Sequence, residues 1–458
     1  MRKQHDKQNK QTKMKQKNLF NIIFFITTFL VSFQMQAQDS KEDLAKNIEL
    51  RNTFEDEKLL EKLMMLQADK FLPYLQRHKE YNIQIIYTQV TRDKRGSNPT
   101  LKEYTFNVNP KAYFYPASTV KLPVIALAME KINELSEKID KNQLDKYARM
   151  STVAGKFCPE FAVANTPNDE NPPTIAKYAE QMLLVSDNVA FGRLYEFVGQ
   201  KEINQKLWNK GYEDLRILRR FNSMCLTPEQ SKYSQPIEFY SDNCKHLLHR
   251  ENEKLNDTTY SAPIGEIKLG KAYMDDFGKL YNAPMDFTPQ NYMKLKDLND
   301  IVCTLMIPEA FPKQKRFNLE KDDYNFLKKY MSAYPKDAVW NSYPSEMGYF
   351  DAYKKYLFYG RDNFAEIDEN LKIHNIVGWA YGFLTDAAYL VDERNHIEFF
   401  LTATICINRD ETFNDNLYEY PESLEFLKNL GKMMYNYERA ILKKYNSKKK
   451  KFAEKTTE

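Results

Sequence analysis

The chain has 458 residues, a formal net charge of +4 and a hydrophobic fraction of 42%. A hydrophobic fraction of this size excludes a wholly disordered protein. The first 37 residues contain seven lysines and arginines and one aspartate, so they carry +6 and the remaining residues sum to −2. Because the positive charge is confined to the N-terminus, the composition gives no support to nucleic-acid binding.

The N-terminal segment has the order of a secretory signal peptide. Basic residues up to Lys17 precede a mostly apolar run, Leu19–Phe33, and a small residue follows at Ala37. We therefore expect residues 1–37 to be removed on export and the mature protein to be periplasmic or secreted. The alternative is an uncleaved segment that anchors the protein in a membrane.

The predicted elements of the first half are helices and one hairpin. Leucines at helical spacing between residues 40 and 80 predict one or two helices. The alternating, β-branched segment Ile83–Val90 and the segment Tyr104–Val108 predict two paired strands. A strongly apolar helix is expected from Ala117 onward, and residues 120–215 are expected to be helical throughout.

In the second half of the sequence we expect an insert, further strands and a last helix. Residues 220–345 are rich in Tyr and Pro and are expected to form an enlarged helical insert. Strands are expected at Ile376–Val391 and His396–Ile407, and a helix at 420–445 before a lysine-rich, disordered tail at 446–458.

This order predicts an α+β fold. The N- and C-terminal strands would share one antiparallel sheet flanked by helices, beside a large helical lobe. Residues 38–458 are expected to form a single domain, with the site where the sheet meets the helical lobe.

The first chemical motif is Ser118 followed three residues later by Lys121, at the predicted start of an apolar helix. Residues three apart in a helix lie on one face. A lysine that loses its hydration can have a lowered pKa and remove the proton of a serine hydroxyl, which makes the serine a nucleophile. The simpler alternative is a capped helix with a surface lysine, and the same pattern recurs by chance at Ser447–Lys450.

The second motif is Ser186-Asp187-Asn188, which apolar helical segments flank on both sides. A buried Ser186 and Asn188 could transfer a proton and hold a substrate amide. The same triplet at Ser241–Asn243 lies among polar residues and is interpreted as a chance match. The simpler alternative for the first copy is an ordinary turn between two helices.

The third motif lies on a predicted strand and contains His374, Gly378 and Trp379. A glycine within a strand allows another chain or a ligand to approach the backbone closely.

In this order the three motifs resemble those of the penicillin-recognising serine hydrolases, most closely the class A β-lactamase family with its S-x-x-K, S-D-N and K-T-G motifs. The resemblance implies that Ser118 is acylated, that Lys121 is its base or a partner of the base, and that Ser186 transfers the proton. Asn188 would bind Lys121 and the substrate amide. Backbone N–H groups of Ser118 and Trp379 would form the oxyanion hole.

The sequence departs from the family pattern in two respects. Ile376 stands where the third motif has lysine, so the cation that faces a substrate carboxylate is lost. His374 and Lys372, two and four positions before Ile376 on the same strand face, could replace it. The E-x-x-L-N pattern that supplies the deacylating carboxylate is also missing, and Glu229 is the nearest loop acid. Without that base an acyl-enzyme would turn over slowly.

These motifs predict an exported serine acyl hydrolase that acts on a β-lactam or on a peptidoglycan-derived acyl substrate. The alternatives are a D,D-peptidase-like or slow esterase activity, or a catalytically impaired peptidoglycan-binding pseudoenzyme. No cofactor is implied. Cys244, His246 and His249 lie close together in sequence but are too few for a metal site, and the five cysteines are an odd number without a disulfide pattern.

Overall fold

The structure is a computed structural model, and the residues that it describes are 58–92, 99–139, 143–157, 162–164, 166, 169–221 and 230–455. The predicted signal peptide, Cys158, Cys225 and Glu229 lie outside these ranges. Of these residues, 58–435 belong to one compact unit and 436–455 to a second.

The described part of the chain contains nine α-helices, which are α1 (Leu59–Met65), α2 (Ala68–Gln76), α3 (Lys121–Lys138), α4 (Ile175–Val185), α5 (Asn188–Val198), α6 (Gln200–Asn209), α7 (Leu295–Met306), α8 (Lys321–Ser332) and α9 (Tyr420–Lys455). None of these helices combines the length and the apolar character needed to cross a bilayer.

One five-stranded antiparallel sheet joins the two ends of the compact unit. Its strands are β1 (Gln84–Arg92), β2 (Pro99–Phe106), β12 (Leu371–Ala380), β13 (Phe383–Asp392) and β14 (Ile397–Cys406), in the order β12-β13-β14-β1-β2. β14 pairs with β1, which is the predicted union of N- and C-terminal strands. The predicted α+β fold class is therefore confirmed.

The third-motif region forms two strands around a tight turn instead of one long strand from Ile376 to Val391. Tyr381 and Gly382 both have positive φ, at 51° and 77°, and reverse the chain between β12 and β13. β12 begins at Leu371, five residues earlier than predicted, so Ile376 lies in the middle of the strand.

The prediction of helix throughout residues 120–215 is wrong between α3 and α4. Arg149–Thr152 forms strand β3, which pairs with β5 (Ile237–Tyr240). The β-branched residues Thr152 and Val153 favour an extended backbone. Pro172 and Pro173, which precede α4, prevent a continuous helix.

The prediction of a helical insert at 220–345 is wrong for its first part and right for α7 and α8. Short strands fill this part: β4 (Tyr233–Ser234), β5, β6 (Leu247–Glu251), β7 (Lys254–Leu255), β8 (Lys268–Leu269), β9 (Ala272–Met274), β10 (Leu280–Tyr281) and β11 (Met285–Asp286). A further short strand, β15 (Thr412–Phe413), pairs with β9. Most of these strands have two or three residues, which is too short for an alternating pattern to be visible in the sequence.

The last helix differs from its predicted end. α9 continues to Lys455, through the segment expected to be a disordered tail from residue 446. Lys, Ala and Glu are good helix formers, and no glycine or proline follows Gly431 in the helix.

The insert packs against the segment that precedes Ser118. Phe287 is fully buried, and its ring centroid lies 5.9 Å from that of Tyr115 and 5.4 Å from that of Tyr381. The hydroxyl of Tyr113 donates to the carbonyl of Asn291 at 3.1 Å. Aromatic contacts and one buried hydrogen bond therefore fix the chain just before the serine.

We expect Phe287→Ala to destabilise the protein by about 3–5 kcal/mol, because it removes a buried aromatic side chain and leaves a cavity. Chemical denaturation monitored by circular dichroism measures this loss. Phe277→Ala is the matched control, since the Phe277 side chain is 97% exposed and its removal should change stability little. Equal effects of the two substitutions would contradict the packing role of Phe287.

Candidate active site

Ser118 lies in a single 3-10 turn, Ala117–Val120, that leads directly into α3. The hydroxyl and the backbone N–H of Thr119 both donate to the carbonyl of Pro116, at 2.6 and 3.0 Å, which fixes this turn. Ala117 has a positive φ of 44°, an unusual conformation for a residue with a side chain. Ser118 itself remains partly exposed.

Lys121 is fully buried, and its Nζ contacts four oxygen atoms. It lies 2.9 Å from Ser118 Oγ, 2.9 Å from Ser186 Oγ, 2.7 Å from Asn188 Oδ1 and 2.6 Å from the carbonyl of Ser186. The structure thus brings Ser118, Lys121, Ser186 and Asn188 into one hydrogen-bonded cluster. The ring of Phe221 lies 5.4 Å from the same Nζ and covers it.

The turn between α4 and α5 presents Ser186 and Asn188 to the lysine. Ser186 ends α4 in the left-handed conformation, with φ of 60°. Asp187 caps α5, because its Oδ1 accepts a hydrogen bond from the N–H of Ala190 at 2.8 Å. The carboxylate of the motif is therefore structural, and the two residues beside it face Lys121.

Burial lowers the pKa of Lys121 well below its ordinary value. The positive charge of Lys354 lowers this pKa further, whereas the charge of Asp187 raises it. A lysine in this environment is more often neutral than one in water, and a neutral amine can accept a proton. Ser118 Oγ, at 2.9 Å, is within reach of that amine.

Gly378 on β12 lies directly against the turn that carries Ser118. An added Cβ at this position would be 2.6 Å from the carbonyl oxygen of Pro116 and 3.3 Å from the Cβ of Ala117. Only glycine allows the edge strand of the sheet to approach the turn this closely. Trp379, the next residue, is partly exposed and packs its ring on Tyr420 at 4.5 Å.

The structure does not bring His374 to Ser118. His374 Nδ1 lies 2.8 Å from the carbonyl of Lys328 on α8, and its ring lies beside Tyr389. Burial lowers the pKa of His374 to about 4, so the ring is neutral at physiological pH. Lys372, two residues before His374 on the strand, is exposed. Neither residue therefore has the position and charge expected of a replacement cation.

Ile376 is fully buried in the apolar cluster that also holds Ala387 and Phe400. The position of the missing lysine is thus filled by a core side chain. A lysine introduced there would be desolvated, so we interpret Ile376 as a packing residue.

Sequence reasoning missed Phe221 and Lys354. Phe221 is not part of a recognisable motif. Lys354 belongs to a Tyr-rich stretch without helical or strand periodicity. The only signal for Lys354 is a pair of lysines within an aromatic, apolar segment, AYKKYLFYG.

The second Ser-Asp-Asn copy forms an exposed turn, in which Ser241 Oγ donates to Asn243 Oδ1 at 2.8 Å. The neighbouring His249 contacts Glu251 at 3.0 Å, and Cys244 is a free thiol. Neither group contacts the Ser118 cluster among the described residues.

Comparison with known proteins gives one family. The sequence profile of the Beta-lactamase enzyme family matches residues 68–259, which confirms the predicted resemblance to β-lactamase-like serine hydrolases. No curated protein matches the chain.

Three solved structures illustrate the structural similarity. A β-lactamase from Desulfarculus baarsii is 12% identical, covers 81% of this chain and 97% of its own, and has a TM-score of 0.44. A class A β-lactamase representative from Bacteroides cellulosilyticus is 11% identical, with coverages of 82% and 98% and a TM-score of 0.43. A class A β-lactamase from Clostridium kluyveri is 12% identical, with coverages of 80% and 98% and a TM-score of 0.43.

We expect Gly378→Ala to displace the Ser118 turn and to destabilise the protein by about 1–3 kcal/mol, the usual cost of overpacking. The thermal unfolding midpoint and the rate of covalent modification of Ser118 should both fall. Gly192→Ala in α5 is the control, because an added Cβ there meets nothing within 4 Å. Alanine favours a helix over glycine, so this control should leave the protein as stable or slightly more stable. A Gly378→Ala protein with unchanged stability and reactivity would contradict the close approach.

Proposed function

We propose that the chain is an exported serine acyl hydrolase that acts through an acyl-enzyme on Ser118. The observation that carries this proposal is the buried Lys121 amine, whose Nζ contacts Ser118 Oγ, Ser186 Oγ and Asn188 Oδ1. Three side chains from two separate turns converge on one buried lysine. Such an arrangement favours proton transfer over a purely structural role.

In the proposed reaction the neutral Lys121 amine accepts the proton of Ser118 Oγ, and the oxygen attacks the acyl carbon of the substrate. The C–N bond of a β-lactam then breaks, and the leaving nitrogen takes a proton from Lys121 through Ser186. Ser186 Oγ is suited to this transfer because it lies 2.9 Å from Lys121 Nζ. The backbone N–H groups of Ser118 and Trp379 would hold the oxyanion, since β12 packs against the serine turn.

The surroundings of the cluster support slow deacylation. Within the described ranges, none of the hydrogen bonds made by Ser118, Lys121, Ser186 and Asn188 involves a carboxylate. A water molecule that attacks the acyl-enzyme needs a base to take its proton. We therefore propose that the acyl-enzyme accumulates, as expected for penicillin-binding or D,D-peptidase-like behaviour, instead of the rapid turnover of an efficient β-lactamase.

For the substrate carboxylate we propose Arg219 as the binding cation. Burial raises the pKa of Tyr115, which lies three residues before Ser118, and the charge of Arg219 opposes this rise. Arg219 also opposes the rise at Tyr381, the residue after β12. Phe221, two residues later, covers Lys121. The backbone at Arg219 is held in place because its N–H donates to Asn291 Oδ1 at 2.9 Å.

Export is part of this proposal. It is supported by the succession of basic residues, an apolar run and Ala37 at the N-terminus. The substrate would then be an extracytoplasmic β-lactam or a peptidoglycan-derived acyl compound.

We expect Ser118→Ala to abolish covalent modification by penicillins while leaving the fold intact. Intact-protein mass spectrometry after incubation with a penicillin measures the acyl adduct. Wild-type protein should gain the mass of one penicillin, and this adduct should persist if deacylation is slow. Ser241→Ala, in the exposed second motif copy, should be modified like wild type. A persistent adduct on Ser118→Ala would show that another residue is the nucleophile.

We expect Arg219→Ala to slow acylation by penicillins about 10- to 150-fold, because a charge-assisted hydrogen bond contributes about 1.5–3 kcal/mol. Acylation by a neutral activated ester should change little, since the ester has no carboxylate. Stopped-flow acylation rates for the two substrates measure this contrast. Lys372→Ala, on the exposed part of β12, should leave both rates unchanged. An equal loss for both substrates would mean that Arg219 only shapes the site.

A further inference from the structure

Two adjacent lysines, Lys354 and Lys355, are buried in the compact unit. Their exposed fractions are 5% and 3%. Lys354 Nζ donates to the carbonyls of Leu183 and Met182 at 2.6 and 3.2 Å. Lys355 Nζ instead contacts the carbonyls of Met331 and Ile373 and the Oδ1 of Asn375. The first lysine therefore binds α4, whereas the second binds α8 and β12.

The carbonyls that Lys354 contacts belong to the last turn of α4, immediately before Ser186. Carbonyls in the last turn of a helix lack intrahelical partners or carry partial negative charge, and a cation there stabilises the helix end. Because Ser186 follows in the left-handed conformation, the position of this last turn sets where its hydroxyl and carbonyl lie. Lys354 thus fixes the turn that presents two of the four oxygens to Lys121.

The backbone at Lys354 is itself rigid. Its carbonyl accepts a hydrogen bond from Asn375 Nδ2 at 2.7 Å, and the same amide donates to Asp386 Oδ1 at 2.9 Å. Asp386 Oδ2 accepts from the N–H groups of Leu357 and Tyr356. Residues of strands β12 and β13 therefore hold the backbone of Lys354, and its side chain extends to α4.

Among the described residues, no carboxylate lies within ion-pair distance of Lys354 Nζ. A buried ammonium group without such a partner is costly for stability, and a methionine of similar length would avoid this cost. Buried ionisable groups with shifted pKa values are frequent at functional sites. Retention of a lysine here therefore needs a reason beyond packing.

We propose that Lys354 is a positioning residue for the Ser118 chemistry: it fixes the Ser186 turn and places a second ammonium group near Lys121. This inference rests on the proposed function of Ser118 and adds to it a residue that the three motifs do not contain.

The electrostatic surroundings of the two lysines agree with this role. Among the described residues, the charges of Lys354 and Asp187 shift the pKa of Lys121. Burial lowers the pKa of Lys354 to about 7, and the charge of Asp386 opposes this shift. Burial likewise lowers the pKa of Lys355 to about 7, with a further contribution from Lys354. Burial raises the pKa of Asp386 to about 7.

Like charges disfavour each other, so a protonated Lys354 favours the neutral form of Lys121. Removal of Lys354 should therefore raise the pKa of Lys121 and reduce the fraction of neutral base at a given pH. The acylation rate rises as Lys121 loses its proton, so the midpoint of its pH profile should move to higher pH.

The experiment compares full-length wild type with Lys354→Met and Lys355→Met. In Lys354→Met we expect the midpoint of the pH profile of penicillin acylation to rise by about one unit, which is about a tenfold lower rate below the midpoint. Lys355→Met is the matched control, because Lys355 is equally buried but does not contact α4. It should reduce thermal stability without moving the midpoint.

A second measurement does not depend on acylation. NMR titration of the Lys121 side-chain nitrogen, assigned with Lys121→Met, reports its pKa directly in each variant. If Lys354→Met does not fold, it is replaced in the comparison by the double variant Lys354→Met/Asp386→Asn. This variant removes the buried charges of both Lys354 and Asp386. A higher Lys121 pKa in either variant supports the inference.

The outcomes separate this inference from the proposed function. If wild type is acylated on Ser118 but the midpoint and the Lys121 pKa are the same in Lys354→Met, the positioning role is wrong and the proposed function stands. Equal shifts in Lys354→Met and Lys355→Met also overturn the inference, because they indicate a general loosening of the core. If wild type is not acylated but the Lys121 pKa rises only in Lys354→Met, the inference holds and the proposed substrate class fails.

Discussion

The site depends on the withdrawal of one lysine side chain from water. Lys121 Nζ is fully buried, and its four oxygen contacts come from the turn before α3 and from the turn between α4 and α5. A buried amine is tolerated only where such partners are provided, so the two helical segments must be held in one fixed arrangement. The hydrogen bonds that keep Lys121 in the core are thus also the contacts that the proposed chemistry requires.

Contacts from the sheet and from the insert hold the Ser118 turn in its position beside Lys121. Gly378 on the edge strand β12 lets the sheet contact the Ser118 turn, and Phe287 in the insert packs beside Tyr115. Because both contacts lie within a few residues of Ser118, movement of either element would displace the serine relative to Lys121. Distances near 3 Å between a base and a nucleophile require such support.

The sequence predicted the parts of this site that local patterns encode. Lys121 was identifiable because a charge within an apolar helix is unusual, and Ser186–Asn188 because apolar helices flank it. One antiparallel sheet of N- and C-terminal strands was predictable because Ile83–Val90 is alternating and β-branched and because further strand-like segments follow Ile376. Lys354 and Phe221 were not predictable, because the groups that they contact are distant in sequence: Leu183 lies 171 residues from Lys354. The two-residue strands of the insert carry no periodic pattern, and the burial of Ile376 depends on helices packed across the sheet.

In the proposed reaction the groups around Ser118 would favour acylation of the serine over hydrolysis of the acyl-enzyme. Removal of the serine proton needs a neutral amine, and both burial and the charge of Lys354 act in that direction at Lys121. Activation of water needs a second base at a different position, and within the described residues no carboxylate contacts the cluster. A lysine that has returned its proton to the leaving group is neutral again, but its Nζ is enclosed by four protein oxygens and by Phe221. In the proposed reaction water would therefore have little access to this amine, and the burial that would promote acylation would also disfavour hydrolysis of the acyl-enzyme.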